Sequence, residues 1–135
     1  MTGETRVRVR YAETDQMGVV YHANYLIWFE VGRVELIRQM GFSYKAMEQD
    51  GFAIAVVEAS VRYKSPARYD DELIVRTRVV LMRGSIIRMA YAIYRADDEL
   101  LLCEGATTHV VVDGEMKKAA LPAVYAEAFR AAMEE

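Results

Sequence analysis

The sequence predicts an α+β fold in which a curved antiparallel sheet of about five strands wraps around one long central helix. Three observations carry this reading. An uninterrupted helical pattern runs from Asn24 to Met40; three long β-rich runs follow one another after Glu72; and the turns between those runs are too short for anything but antiparallel neighbours. Strands of ten or more residues at about 3.3 Å per residue outrun a helix of that length at about 1.5 Å per residue, so a sheet that buries its face on this helix must curve around it.

Arg6 to Tyr11 alternates Arg-Val-Arg-Val-Arg-Tyr, the period of a half-buried strand with Val7, Val9 and Tyr11 on one side. In the helix, Leu26, Phe29, Ile37 and Met40 recur near helical spacing. No proline interrupts it, and Gly41 suits a left-handed C-terminal cap. Gly32 in mid-helix predicts close approach to the sheet. Ser43 to Gln49 reads as a short second helix with Ser43 as N-cap and an end near Gly51, and Phe52 to Tyr63 returns to extended patterning.

The long runs are Glu72–Arg83, Ile86–Arg95 and Leu100–Val112. In the first, Leu73, Val75, Thr77, Val79 and Leu81 are expected on the core face, with Arg76 and Arg78 opposite. Ile87, Met89, Tyr91 and Ile93, with Leu102, Ala106, Val110 and Val112, are expected on the outer face, where they would call for a partner; a homodimer follows, extending to a dimer of dimers. Pro122 to Met133 reads as a terminal helix with proline at its first position.

A chain of 135 residues suits one domain over 1–135. Its net charge of −3 gives no broad attraction to nucleic acid or to an anionic membrane. The N-terminus enters a strand pattern without an apolar signal core, and no run of about 18 apolar residues suggests a membrane span, so the expected location is the cytoplasm. Cys103 is the only cysteine. It can form no internal disulfide, and its flank Leu100-Leu101-Leu102 favours a buried, inert thiol over a nucleophile.

The chemistry concentrates between the first strand and the helix, in Asp15-Gln16-Met17-Gly18-Val19-Val20-Tyr21-His22-Ala23-Asn24-Tyr25. Aspartate in such a connection often only hydrogen-bonds nearby backbone. Here Gly18 also lets the chain pass close to a ligand, and free N–H groups around Tyr21, His22 and Ala23 can point at a developing oxyanion, a combination suited to acyl transfer. His22 reads more readily as a positioning residue than as a catalytic base. A second carboxylate at glycosidase spacing, a phosphate loop, a Gly-x-Ser-x-Gly elbow and a His-Glu-x-x-His helix are all missing from the sequence. No metal or cofactor is called for.

This stretch, together with Arg62-Tyr63-Lys64-Ser65-Pro66-Ala67-Arg68-Tyr69-Asp70-Asp71 and Arg83-Gly84-Ser85, resembles the 4-hydroxybenzoyl-CoA thioesterase family, in its branch of short bacterial acyl-CoA thioesterases with the hot-dog fold. The resemblance implies hydrolysis of a small or medium acyl-CoA. Asp15 would be the essential carboxylate, as nucleophile or general base, and His22 would stand where a backbone N–H at the helix start polarises the thioester carbonyl, with Gly18 and Tyr21 completing the motif. It further implies that the acyl pocket lies across a dimer interface, with Asp15 facing the partner's strand near Val57 to Ser60, and that Lys64, Arg68, Arg83 and Ser85 sit in CoA-contacting segments; His109 aligns less closely with that pattern. CoA is then part of the substrate and not a cofactor. Two other readings accompany this one: an acyl-thioester hydratase or dehydratase on the same fold, and a non-catalytic acyl-CoA-binding or assembly module.

Overall fold

The computed structural model describes residues 1–134. The elements in chain order are β1 (Gly3–Arg8), a single 3₁₀ turn (Tyr11–Glu13), α1 (Asn24–Gln39), α2 (Tyr44–Gln49), β2 (Ala53–Tyr63), β3 (Glu72–Arg83), β4 (Ile86–Arg95), β5 (Leu101–Val112) and α3 (Ala123–Glu134). The five strands form one sheet in the order β1-β3-β4-β5-β2, and every pairing is antiparallel.

α1 lies on the concave side of the sheet. Tyr25, Trp28, Phe29, Gly32, Leu36 and Ile37 are its buried residues, spaced by three and four so that they share one face. The Phe29 ring stacks on Tyr91 of β4, with centroids 4.3 Å apart and planes 6° from parallel. Gly41, at φ 107°, takes the predicted left-handed cap position and donates its N–H to the Arg38 carbonyl at 3.0 Å. Ser43 caps α2, its hydroxyl accepting from the Ala46 N–H at 3.0 Å. α3 closes the same core: Phe129 is fully buried, and the Phe42 ring packs on Tyr125 and Phe129. Its helix begins one residue after Pro122, whose carbonyl accepts the first N–H bonds.

Two expectations are corrected. The first strand occupies Gly3–Arg8 and not Arg6 to Tyr11; Tyr11 belongs to the 3₁₀ turn, held by the Glu13 carboxylate on the Arg10 N–H at 2.7 Å, and is largely exposed. The second concerns which side chains face outward. Ile87, Met89, Tyr91 and Ile93 are buried in the core, because Met89, Tyr91 and Ile93 stand opposite Val79, Thr77 and Val75 and residues directly opposite share a face.

The slip has a local cause. A bulge between Val79 and Leu81 adds one residue to β3 and reverses the alternation after it. Leu81, expected inward, pairs with the outward Arg88, whereas Met82 pairs with Ile87 and packs against the core. A second bulge, at Leu102, leaves Leu102 and Cys103 both buried in succession. Ala106 and Val110 are half-buried on the outer face, and Val112 is buried next to its bridge to Lys118. That face is otherwise mixed, with Arg76, Arg78, Ala90, Ala92, Tyr94 and Glu104 bordering a groove of about 520 Å³.

Candidate active site

Asp15 sits on a short hairpin-like loop between the 3₁₀ turn and α1. An isolated bridge joins Thr14 to Val20, the Asp15 N–H donates to the Val19 carbonyl at 2.9 Å, and the Gly18 N–H closes the turn on the Asp15 carbonyl at 3.0 Å. Gly18 has φ 79°, a conformation that side chains rarely tolerate. One carboxylate oxygen does what turn aspartates commonly do: Oδ1 accepts the Met17 N–H at 2.8 Å. Among the described residues Oδ2 accepts no hydrogen bond, and the side chain is half-buried. The carboxylate is thus oriented through one oxygen and free at the other.

The start of α1 is anchored to the same segment. The Glu13 carbonyl accepts the Tyr21 N–H at 2.9 Å and the Asn24 side-chain amide at 2.8 Å. This engages the Tyr21 N–H, which the sequence left as a candidate donor. The N–H groups of His22 and Ala23 make no hydrogen bond among the described residues, and α1 has no side-chain N-cap. The His22 ring is exposed, resting against Tyr21 with centroids 4.4 Å apart.

A cleft of about 250 Å³ opens at this point, lined by Val20, His22, Tyr25, Tyr63, Lys64, Ser65 and Pro66. A chain of contacts encircles it. The Val20 N–H donates to the Ala67 carbonyl at 2.9 Å, and the Ala67 N–H donates to the Tyr25 hydroxyl oxygen at 3.1 Å. The Tyr25 ring meets Tyr63 edge-on at 5.3 Å, and the Tyr63 hydroxyl donates to the His22 carbonyl at 2.9 Å. Burial raises the pKa of Tyr25, an effect the Ala67 N–H partly offsets, and burial likewise raises that of Tyr63. Both phenols therefore stay protonated well into alkaline solution. Asp15 lines neither this cleft nor the larger groove on the outer sheet face; the cleft reaches the helix start through His22 and Tyr25, and the groove does not.

The remaining candidates separate. Lys64 borders the cleft, 3.5 Å from Glu104, and Arg68 lies just beyond Ala67 with its side chain exposed. Arg83 ends β3 and Ser85 lies in the turn to β4, the full length of β3 away from Arg68, and the Ser85 hydroxyl donates to the Ala119 carbonyl at 2.7 Å. One copy of the chain does not bring the two pairs together.

His109 is fully buried, its Nε2 2.7 Å from Thr107 Oγ1, so it offers nothing to a ligand outside the core. Trp28 and Phe29 are core residues as well, whereas Val56 and Val57 are exposed on β2 at the sheet edge. Cys103 is fully buried, and burial pushes its thiol up to about 12. Glu13, Tyr63 and Ala67 carry structural roles here that no periodicity marks, although Tyr63 and Ala67 lie inside the stretch that carries the resemblance.

A family model described as the thioesterase-like superfamily matches residues 9–129. The chain belongs to that superfamily. It is 44% identical over 112 residues to YneP of Bacillus subtilis (strain 168), covering 83% of this chain and 80% of that protein. It is 40% identical over 117 residues to the acyl-CoA thioester hydrolase YbgC of Escherichia coli O6:H1, covering 86% and 87% of the two. The structure of DHNA-CoA thioesterase from Staphylococcus aureus superposes with a TM-score of 0.92 at 33% identity, over 96% of this chain and 89% of that one. This thioesterase shares with the Staphylococcus aureus enzyme the hot-dog arrangement of a sheet wrapped around one helix. No helix among the described residues is long and apolar enough to cross a membrane, and no group of three or more His, Cys, Asp or Glu among them could hold a metal ion.

Proposed function

We propose that this thioesterase hydrolyses the thioester of a small to medium acyl-CoA to the free acid and CoA, in the cytoplasm, without a metal or cofactor. The observation that carries the reading is the half-free Asp15 carboxylate on a loop bridged next to a helix start that presents two unengaged N–H groups. Similarity to a protein named acyl-CoA thioester hydrolase supports it. The residues assigned to the chemistry are Asp15, Gly18, Tyr21 and His22, the last through its backbone.

The thioester carbonyl oxygen takes the N–H groups of His22 and, beside it, Ala23, which stabilise the negative charge that develops there. In the water route, Asp15 accepts a proton from water as the water oxygen adds to the carbonyl carbon. The carbon–sulfur bond then breaks, and the CoA thiolate takes the proton back. In the covalent route, Asp15 itself adds to the carbonyl and expels the thiolate, and water then cleaves the mixed anhydride.

Two features favour at least a homodimer. Ile27, Val31 and Val34, at spacing i, i+4 and i+7, line a shallow groove on the side of α1 turned away from the sheet, and Val56 and Val57 leave the β2 edge apolar and unpaired. A second copy joined antiparallel at β2 would carry its own Arg83 and Ser85 toward Lys64 and Arg68. All four could then grip one CoA, and a dimer of dimers would use the mixed outer face of the sheet.

A panel of CoA thioesters varied in chain length and aromaticity, followed with a thiol reagent, tests the function. Asp15→Ala should lower kcat at least about a thousandfold, and full activity in that variant would sink the mechanism. Single turnover in ¹⁸O-water separates the routes, because label entering the Asp15 carboxylate requires the anhydride.

A further inference from the structure

We propose that Tyr63 is a positioning residue for the oxyanion-binding N–H groups, acting through the His22 carbonyl; this rests on the reading of the helix start given above. The Tyr63 hydroxyl donates to that carbonyl at 2.9 Å from the end of β2, 41 residues away in the chain. Nothing in α1 takes its place: the first-turn N–H of Leu26 goes to the Ala23 carbonyl at 3.2 Å.

The geometry makes this bond consequential. The His22 carbonyl and the Ala23 N–H belong to one planar trans peptide and point in opposite directions, so a grip on the oxygen aims the hydrogen. The same grip restrains ψ of His22 and with it the relation between the two neighbouring N–H groups. A hydrogen bond accepted by the carbonyl also polarises the amide and makes its N–H a better donor. This matters most at a helix start with no side-chain cap: the Asn24 N–H closes the turn on the Tyr21 carbonyl at 3.0 Å, and the Tyr21 N–H and the Asn24 amide reach Glu13, but none of these bonds touches the His22 carbonyl itself.

Tyr63 is itself held. Its backbone pairs with Cys103 of β5, its ring stands edge-on to Tyr25 at 5.3 Å, and the Tyr25 hydroxyl accepts the Ala67 N–H. The rigid sheet therefore reaches the reacting centre through a phenol, and a shift of the β2 end moves the oxyanion donors directly. Partial desolvation raises the pKa of this half-exposed phenol, so the hydroxyl keeps its proton at neutral pH.

Tyr63→Phe keeps the ring and removes the hydroxyl. For the best CoA ester of the panel, kcat should fall about tenfold, a fraction of the hundredfold or more that deleting an oxyanion donor costs, while KM stays within about twofold. The direct readout is the infrared stretch of carbonyl-¹³C benzoyl-CoA and hexanoyl-CoA bound to Asp15→Asn enzyme, where hydrolysis is blocked. The bound carbonyl should absorb at lower frequency than in water, and Asp15→Asn/Tyr63→Phe should lose a measurable part of that shift, with unfolding temperature and circular dichroism unchanged.

An unaltered kcat and an unaltered shift in the Phe variants would overturn the proposal while leaving the thioesterase reading intact, and so would a change confined to KM. If the Asp15→Asn complex shows no downward shift at all, the helix-start reading fails first and the role of Tyr63 falls with it.

Discussion

Gly32 of α1 lies against Thr77 of β3 so closely that a methyl group on Gly32 would overlap Thr77 Oγ1 and stand 2.8 Å from Val75 Cγ1. The helix reaches the sheet at this depth only because the side chain is absent. In an open helix alanine would be favoured by about 1 kcal/mol; here the overlap dominates, and Gly32→Ala should destabilise the protein by about 2 kcal/mol, read as a lower urea midpoint at unchanged slope. Thr77 Oγ1 is buried without a hydrogen-bond partner among the described residues. Thr77→Val, of the same shape, should therefore raise stability by about 1 kcal/mol.

Gly105 plays the same part between β5 and β2. A methyl there would overlap the Ser60 carbonyl and stand 2.7 Å from Phe29 Cε2. Gly105→Ala should cost about 2 kcal/mol or more, and it should speed amide exchange in the β2–β5 ladder around Val61 and Ala106 ahead of the β3–β4 ladder.

His109 gives the fold a defined acid sensitivity. Burial, reinforced by the Arg33 guanidinium, lowers its pKa from 6.5 to about 4. The unfolded chain binds this proton between those two values and the folded protein does not, so the imidazole lowers stability as pH falls through that window and costs nothing above it. The loss between pH 7 and pH 4 is on the order of 3 kcal/mol. His109→Gln should remove most of that slope, measured by urea unfolding at each pH, and an equal slope in the variant would contradict the assignment.

Lys64 and Arg68 are proposed to hold CoA phosphates and not the acyl group. Lys64→Ala and Arg68→Ala should each raise KM for a CoA ester about threefold to tenfold and leave hydrolysis of a short thioester without the nucleotide unchanged. Arg83→Ala should behave alike only if a second copy supplies that residue. Mixing inactive Asp15→Ala chains with Arg83→Ala chains should then restore high-affinity turnover at one class of mixed sites.

Local rules made much of the architecture legible. The period of two in Glu72–Arg83, the Ser43 cap, the Gly41 cap and the two-residue turn at Gly84-Ser85 each act within a few residues of sequence. The face assignment failed where a rule of strict alternation met a bulge, since one extra residue near Val80 reverses every later side chain and leaves no mark in composition. In the site, Asp15 and the helix start were legible because they are neighbours in the chain. Tyr63 was not, because its partner His22 is 41 residues away.

The chain alone therefore settled what kinds of element form and where the acid lies, because hydropathy periods, caps and turns act through short-range sterics and burial. Folding in three dimensions decided which oxygen of Asp15 is free, that Tyr21 gives its N–H to Glu13, that His109 is sealed in the core, and that Arg83 stands at the far end of the sheet from Arg68. The first two depend on how one short loop closes on itself, and the last two on strand length and register across the sheet. Register joins residues far apart in the chain, so no rule acting within a few residues of sequence fixes it.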